Sequence, residues 1–367
     1  MNLKQPHRGN DMEEVVLVIN PGSMSTKVAI YNREEPLYDE NVKHPAQELG
    51  KFDKVTEQFQ IRLKAIKSCL EKANVANYNV IGIAGRGAPL KPLTGGTYLV
   101  NAAMLEDLRE CRYSNHASNL GAIISHELAN EYGVKAYITD PITTDEFIPE
   151  ARISGVPQII RKCRSHALNI KANARQVAGQ IGKSLEELNF VVCHMGGGIS
   201  VCALRGGKVI DVNDALLGMG PFSPDRAGAL PIGGVVKLCF SGEYDQKEIE
   251  TMFSKKSGLI AYLGTSDLVE VMEMIENGDK NAGLIFNAMA FQIAKEIGAM
   301  TAVLKGKVDG IILTGGMAKS RMLLDEIESY IGSHAKVYER PGELEMQALA
   351  EGAFRVIDNR EPVLEYK

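Results

Sequence analysis

The hydrophobic pattern of the chain opens with a near-continuous apolar run, Val15 to Asn20 (VVLVIN), which reads as a buried strand. A Pro-Gly-Ser-Met-Ser turn and a second run, Thr26 to Tyr31, follow, and two β-rich runs joined so tightly predict a hairpin. Phe59, Leu63, Ile66, Leu70 and Ala73 recur at helical spacing and predict an amphipathic helix over Val55 to Lys72. Val80 to Ala84 predicts a short buried strand ending at Gly85-Arg86-Gly87. Leu120, Ile123, Ile124 and Leu128 mark another helix, and Val134 to Thr139 a strand that stops on Asp140-Pro141.

Beyond Phe147 the pattern partly repeats. Phe190 to Cys193 predicts a strand, Met195-Gly196-Gly197-Gly198 a turn, and Ile199 to Leu204 a returning strand. Arg205-Gly206-Gly207-Lys208 turns again into Val209 to Val212. Gly310 to Leu313 predicts a strand opening onto Thr314-Gly315-Gly316-Met317, with a helix from about Ser320. The strand–glycine turn–strand device thus occurs at Asn20 and again at His194, which suggests a duplication: two α/β domains of similar plan facing one cleft.

Composition narrows the class. A chain of 367 residues exceeds one simple core and predicts two domains. An apolar fraction of 45% and a charged fraction of 24% are those of a soluble globular protein, and a net charge of −5 argues against sequence-independent nucleic-acid binding. Met1 to Glu14 lacks the apolar core of a signal peptide and reads as a frayed tail or an expression remnant. The longest apolar stretch, Ala282 to Leu304, carries Lys295 and Glu296, so it predicts a core helix and no membrane span. Cys69, Cys111, Cys163, Cys193, Cys202 and Cys239 are scattered, mostly in apolar runs, as expected of small hydrophobes in a reducing cytoplasm. Cys163 and His166 have ligand-like spacing but form part of no zinc pattern.

Candidate chemistry sits where strands end. Asn20-Pro21-Gly22-Ser23-Met24-Ser25-Thr26-Lys27 combines a glycine, three hydroxyls and a cation, which suits phosphate, although a plain hairpin turn chooses the same residues. Gly196-Gly197-Gly198 and Gly315-Gly316 carry the same ambiguity; three such turns, each after a buried strand, favour a nucleotide cleft. Competing signatures fail: Gly182-Lys183-Ser184 lacks the earlier glycine of a P-loop, and His126-Glu127 lacks a second histidine at Asn130. Arg86 and Arg226 are suited to pair a carboxylate or phosphate, with surface salt bridges as the alternative. Asp140 is placed to hold Mg²⁺ on a triphosphate or simply to make a turn. His116 and His166 lie just ahead of helices, and His194, directly after a strand, has a buried structural histidine as its alternative reading.

In combination these segments resemble the acetate kinase and butyrate kinase family, within the wider group of actin, hexokinase and Hsp70-type ATPases. VINPGSMSTK, Gly-Arg-Gly, NHASN, TDPITTDEF, SHALN, HMGGGIS, FSPDRAGALP, ILTGGMAKS and PGELEMQALAEGA carry the resemblance from Val15 to about Arg355. The Asn-Pro-Gly opening and SPDRAG are nearer the butyrate kinases. The fold this implies is α/β, two ribonuclease H-like domains of the actin/hexokinase/Hsp70 type around a nucleotide cleft. The first domain is expected over 1–147 plus 345–367 and the second over 148–344.

The resemblance implies ATP and Mg²⁺ as cofactors, a short-chain carboxylic acid as substrate and a homodimer, with no nucleic-acid or membrane partner. Asn20, Ser23, Ser25 and Lys27 match the first phosphate loop. Arg86 and Arg226 match arginines that hold the acyl carboxylate and the phosphoryl group, His166 a histidine that stabilises that group, and His116 a supporting one. Asp140 and Glu343 match the acids around Mg²⁺, His194, Gly196, Gly197 and Gly198 the second phosphate loop, Asp267 a nucleotide contact, and Gly315 and Gly316 the adenosine loop. Gly197 and Leu268-Val269 depart from the residues of acetate kinases at those places. Small residues at Gly87 and Ala88 are expected to leave room for an acyl tail, each buried CH₂ adding about 0.8 kcal/mol. The expected reaction is direct, reversible in-line transfer from ATP to the carboxylate. An acetate or propionate kinase, or an actin- or Hsp70-like ATPase switch without an acyl substrate, are the alternatives.

Overall fold

The computed structural model describes residues 12–367; the expectation for Met1 to Asp11 lies outside the described residues. The described residues form twelve strands: β1 (Glu14–Pro21), β2 (Ser25–Tyr31), β3 (Pro36–Lys43), β4 (Asn79–Gly85), β5 (Thr97–Leu99), β6 (Ala136–Thr139), β7 (Asn189–Met195), β8 (Ile199–Arg205), β9 (Lys208–Val212), β10 (Gly310–Gly315), β11 (Val337–Pro341) and β12 (Leu364–Glu365). Glu14, read from sequence as tail, already opens β1.

The chain divides into two compact units. The first comprises residues 12–91, 96–141 and 346–367, and the second 92–95 and 142–345. The expected break after Phe147 falls later than the observed one. Phe147 belongs to a buried apolar cluster of the second unit, and Thr144 bridges to Leu93, so this connector folds as part of that unit.

In the first unit the sheet order is β12-β5-β6-β4-β1-β2-β3. β1 pairs antiparallel with β2, and β2 with β3, while β4 adds parallel to β1 and β6 parallel to β4. Val15 to Ile19 are fully buried, which explains why β1 reads as a continuous apolar run rather than an alternation. The second unit has order β11-β10-β7-β8-β9, with β7, β8 and β9 antiparallel and β10 and β11 parallel beyond β7. The run β3-β2-β1-β4-β6 therefore shares order and direction with β9-β8-β7-β10-β11. The repeat suspected from two glycine turns extends to five strands in each unit.

Helices supply the crossovers. The predicted 55–72 helix begins as a short 3-10 turn, Val55–Gln58, and continues as the α-helix Phe59–Lys72, burying Leu63, Ile66, Cys69 and Leu70. Helix Lys280–Val303 buries Ala282, Phe286, Met289, Ile293, Ile297 and Met300 at three- and four-residue intervals, the stripe of a core-facing helix. Among the described residues no helix is long and apolar enough to cross a membrane. The cysteines are free thiols, and four of them are buried. Burial pushes the Cys69 thiol up to about 11 and Cys163 up to about 12, so both behave as inert apolar side chains.

Candidate active site

In an open α/β sheet the carboxyl ends of parallel strands are where chain reversals leave space for a ligand. In the first unit these ends belong to β1, β4 and β6, and they carry Asn20, Arg86 and Asp140. The Arg86 N–H donates to the Ile19 carbonyl at 2.9 Å, which sets Arg86 beside Asn20. Helix Asn119–Tyr132 approaches from one face, and only a glycine at 121 allows it: a Cβ there would lie 2.3 Å from the Arg86 carbonyl oxygen. Asp140 is buried and takes a left-handed conformation, φ +39°. Its N–H donates to the Gly96 carbonyl at 3.0 Å, and its Oδ1 accepts from the Gly96 N–H at 2.8 Å. A non-glycine residue in that region is held there at some cost, which these paired bonds offset.

The turn between β1 and β2 is built from beneath. Asn20 faces Lys27 in register, and the Gly22 N–H donates to the Ser25 carbonyl at 2.7 Å. Arg62, from helix Phe59–Lys72, is fully buried and donates to the carbonyls of Gly22 (2.9 Å), Ser23 (2.9 Å) and Ser25 (3.2 Å) and to Thr26 Oγ1 (3.2 Å). Its remaining donors meet Gln58 Oε1. No carboxylate neutralises it within those contacts, and burial lowers its pKa. His44 also pairs with Thr26 Oγ1 at 2.9 Å, and burial, then the Arg62 charge, lowers the imidazole below its usual range. With the carbonyls of Gly22 and Ser23 turned inward to a cation, Ser23 and Lys27 stand exposed on the outer side. Sequence reasoning missed Arg62 and His44. The readable signal was an arginine at 62 inside the stripe formed by Phe59, Leu63 and Ile66.

His116 precedes helix Asn119–Tyr132; its Nδ1 pairs with Ser118 Oγ at 2.8 Å and accepts from the Ser118 N–H at 3.2 Å. Desolvation, then the positive Arg86, lowers its pKa. Ala88 is buried, but Gly87 does not leave the space expected of it. A Cβ at Gly87 would meet Pro141 at 2.7 Å, so Pro141 already fills that position.

The second unit gathers a larger set. β7 ends in His194-Met195 and β10 in Thr314-Gly315, with His194 and Thr314 in register; mutual backbone bonds of Gly315 and Gly342 bring the end of β11 alongside, next to Glu343. The His166 ring stacks on His194, centroids 4.0 Å apart and planes at 20°, and His166 Nδ1 pairs with Ser200 Oγ at 2.9 Å. The Gly196–Gly198 turn closes with the Gly196 N–H on the Gly198 carbonyl, and Ser223 Oγ donates to the Gly197 carbonyl at 2.5 Å. Arg226 lies against this turn: a Cβ on Gly198 would sit 2.2 Å from one of its terminal nitrogens. That guanidinium donates to the Ala215 carbonyl at 2.6 Å, with Asp225 Oδ1 3.7 Å from Nε. Burial raises the Asp225 pKa against the opposing pull of Arg226.

A cavity of about 570 Å³ opens beside the turn, lined by Gly196, Gly197, Asp225, Met272, Gly316 and Met317 among others. Asp267 stands at its margin as the N-cap of helix Leu268–Glu276, where its Oδ1 accepts from the Val269 N–H at 2.8 Å. Gly316 begins a 3-10 turn, Gly316–Lys319, that leads into helix Arg321–Ile331 through Ser320 as N-cap. Of the expected residues, Asn20, Arg86, Asp140, His194 and Gly315 lie in or directly after strand ends of their units, His116 and His166 precede helices, Arg226 lies in a loop against the Gly196–Gly198 turn, and Asp267 lines the cavity. Asn169, Ser200 and Ser223 were missed as supports, because their partners are distant in sequence.

The class of protein that this fold defines emerges from solved structures. The fold is shared with a propionate kinase from Francisella tularensis (TM-score 0.73, 19% identity, covering 92% of this chain and 98% of that one). It is shared equally with acetate kinases from Porphyromonas gingivalis (TM-score 0.76, 17% identity, 93% and 99% covered) and Entamoeba histolytica (TM-score 0.74, 17% identity, 93% and 99% covered). The α/β fold that the resemblance implied is thus the fold of these propionate and acetate kinases. More particularly, residues 155–329 match the sequence model of the acetokinase family.

Replacing Arg62 with Met strands the carbonyls of Gly22 and Ser23 and is expected to cost roughly 2–4 kcal/mol of stability. Thermal unfolding measures this, and amide hydrogen exchange at Gly22 is expected to accelerate; an unchanged Tm with unchanged exchange contradicts the support role. Arg86→Met removes the charge but not the desolvation acting on His116. The ring's titration midpoint, followed by proton NMR, is expected to rise while remaining below that of a free imidazole. Because the depressed value favours the neutral ring, the His116 contribution to stability is lost as pH falls below its unfolded pKa, and Arg86→Met reduces that loss.

Proposed function

We propose that this protein transfers the terminal phosphoryl group of ATP to the carboxylate of a short-chain fatty acid, giving an acyl phosphate and ADP. The observation that carries the reading is the gathering, in one unit, of the stacked His166 and His194, the Gly196–Gly198 turn and Arg226 beside a cavity of nucleotide size. The match of residues 155–329 to the acetokinase family covers these residues.

A carboxylate is already a nucleophile near neutral pH, so the reaction needs charge neutralisation and alignment rather than a general base. In this reading Arg86 pairs the acyl carboxylate and Arg226 the phosphoryl group, each as a fixed donor fork. His166 donates to the equatorial phosphoryl oxygens, and His116, its proton affinity lowered by burial and by Arg86, orients the acid. Asn20, Ser23, Ser25 and Lys27 bind phosphate at the first turn, His194 and Gly196–Gly198 at the second, while Gly315, Gly316 and Asp267 border the adenosine. Asp140 and Glu343 are each a hard oxygen donor, which suits Mg²⁺, an ion that takes few protein ligands and keeps waters and phosphate oxygens. When bound, Mg²⁺ would supply positive charge to the terminal phosphates.

The Asn-Pro-Gly and Ser-Pro-Asp-Arg-Ala-Gly segments favour butyrate as the acid. The solved relatives are described as acetate and propionate kinases, which favours a shorter one, and the closed packing of Gly87 on Pro141 is compatible with either. The free, buried thiols suit a reducing cytoplasm. ATP with acetate, propionate, butyrate or isobutyrate, the product trapped by hydroxylamine, decides the matter. A hydroxamate with at least one acid is expected; none with any acid refutes the kinase and favours an ATPase switch. Arg86→Ala is expected to lower kcat/KM for the best acid by about 10²–10³-fold.

A homodimer belongs to the same proposal. Helix Ile232–Cys239 buries none of its residues, and Ile232 and the following Phe240 are 80% and 86% exposed. An apolar helix left open in this way fits a second copy of the chain on an isologous face. Light scattering is expected to give twice the chain mass of 40.0 kDa, and Ile232→Glu with Phe240→Glu to halve it; a wild-type monomer refutes the dimer.

A further inference from the structure

Asn169 lies in the first turn of helix Ala167–Ile181, almost fully buried, and its amide touches the ends of β7 and β10 and the segment that follows β11. Its Oδ1 accepts the backbone N–H of Leu344 at 2.9 Å. A backbone N–H can only donate, so the acceptor oxygen faces Leu344 and the amide NH₂ must face the other way. There it meets His194 Nδ1 at 2.8 Å and Thr314 Oγ1 at 3.3 Å. Thr314 Oγ1 in turn donates to the Gly342 carbonyl at 3.3 Å, and its lone pairs remain to accept from the amide. Two independent chains of donors and acceptors fix the same orientation of one side chain.

The consequence falls on His194. A ring nitrogen that accepts a hydrogen bond carries no proton, so the neutral imidazole carries its proton on Nε2. Nε2 lies 3.6 Å from the point where a Cβ on Gly196 would stand, so it faces the glycine turn. We infer that Asn169 is a positioning residue that fixes His194 as an Nε2–H donor toward the Gly196–Gly198 turn and, through the Leu344 N–H, holds the segment bearing Glu343 in the same arrangement. The value of the arrangement for phosphoryl transfer rests on the function proposed above; the tautomer does not. A donor aimed at the turn suits a phosphate oxygen, whereas a bare Nε2 lone pair would repel it.

Asn169→Asp is the decisive variant, because it keeps shape and volume. One carboxylate oxygen retains the Leu344 N–H, and the other replaces the NH₂ that faced the ring. His194 Nδ1 must then bear a proton. Protein labelled with ¹⁵N-histidine, with His194 assigned by a His194→Gln sample, reports the tautomer directly through its ring nitrogen shifts. The expected wild-type spectrum shows Nδ1 unprotonated and Nε2 protonated, and Asn169→Asp is expected to protonate Nδ1 with the fold intact by circular dichroism. Acyl phosphate formation by Asn169→Asp is expected to fall about 100-fold or more in kcat, with KM for the acid little changed. Protonated Nδ1 in the wild type overturns the inference, as does a variant whose His194 shifts match the wild type. Should Asn169→Asp fail to fold, the wild-type spectrum alone still decides. If no acid is phosphorylated by the wild type, the proposed function fails while the tautomer result stands.

Discussion

A tight backbone turn packed against other elements has to satisfy its carbonyls, and both glycine turns of this protein answer that demand with a buried side chain. At the first turn, Arg62 collects the carbonyls of Gly22, Ser23 and Ser25. At the second, Ser223 takes the Gly197 carbonyl, and Gly196 takes that of Gly198. A fully buried guanidinium bonded to oxygens that carry no formal charge is costly. It persists because its donors are used on carbonyls that would otherwise be orphaned.

That constraint explains where the surrounding elements sit. Helix Phe59–Lys72 has to pack against β2 closely enough for Arg62 to pass beneath the turn, and Thr26 and His44 complete the base. In the second unit the corresponding support is distributed. Asn169 binds β7 through His194, β10 through Thr314 and the start of the last helix through Leu344. Close approaches then rest on missing side chains: Gly121 under the Arg86 backbone and Gly198 under the Arg226 guanidinium.

The electrostatics follow from the same packing. Burial first, and then the neighbouring cation, Arg86 for His116 and Arg62 for His44, lowers the proton affinity of the two imidazoles. Arg226 opposes, without cancelling, the burial that raises Asp225.

Much of this was legible in the chain itself. Continuous apolar runs such as Val15 to Ile19 can only be buried strands. Glycine and proline turns after them had to reverse, helical periodicity marked helices over Val55 to Lys72 and around Leu120 to Leu128, and the apolar stretch Ala282 to Leu304 marked a core helix. Asn20, Arg86, Asp140 and His194 were readable because local pattern puts them in or directly after strand ends, whereas Arg226 was readable only from its motif and lies in the loop after β9. The supports were not. Arg62 and Gly22 are bonded across forty positions of sequence, and Asn169 and Leu344 across far more, so no local rule connects them. The break after Pro141, the filling of the Gly87 position by Pro141 and the tautomer of His194 were likewise decided by tertiary contact. Side-chain period and turn chemistry act over a few residues and so survive in the sequence; which buried donor meets which carbonyl exists only once the strands have paired.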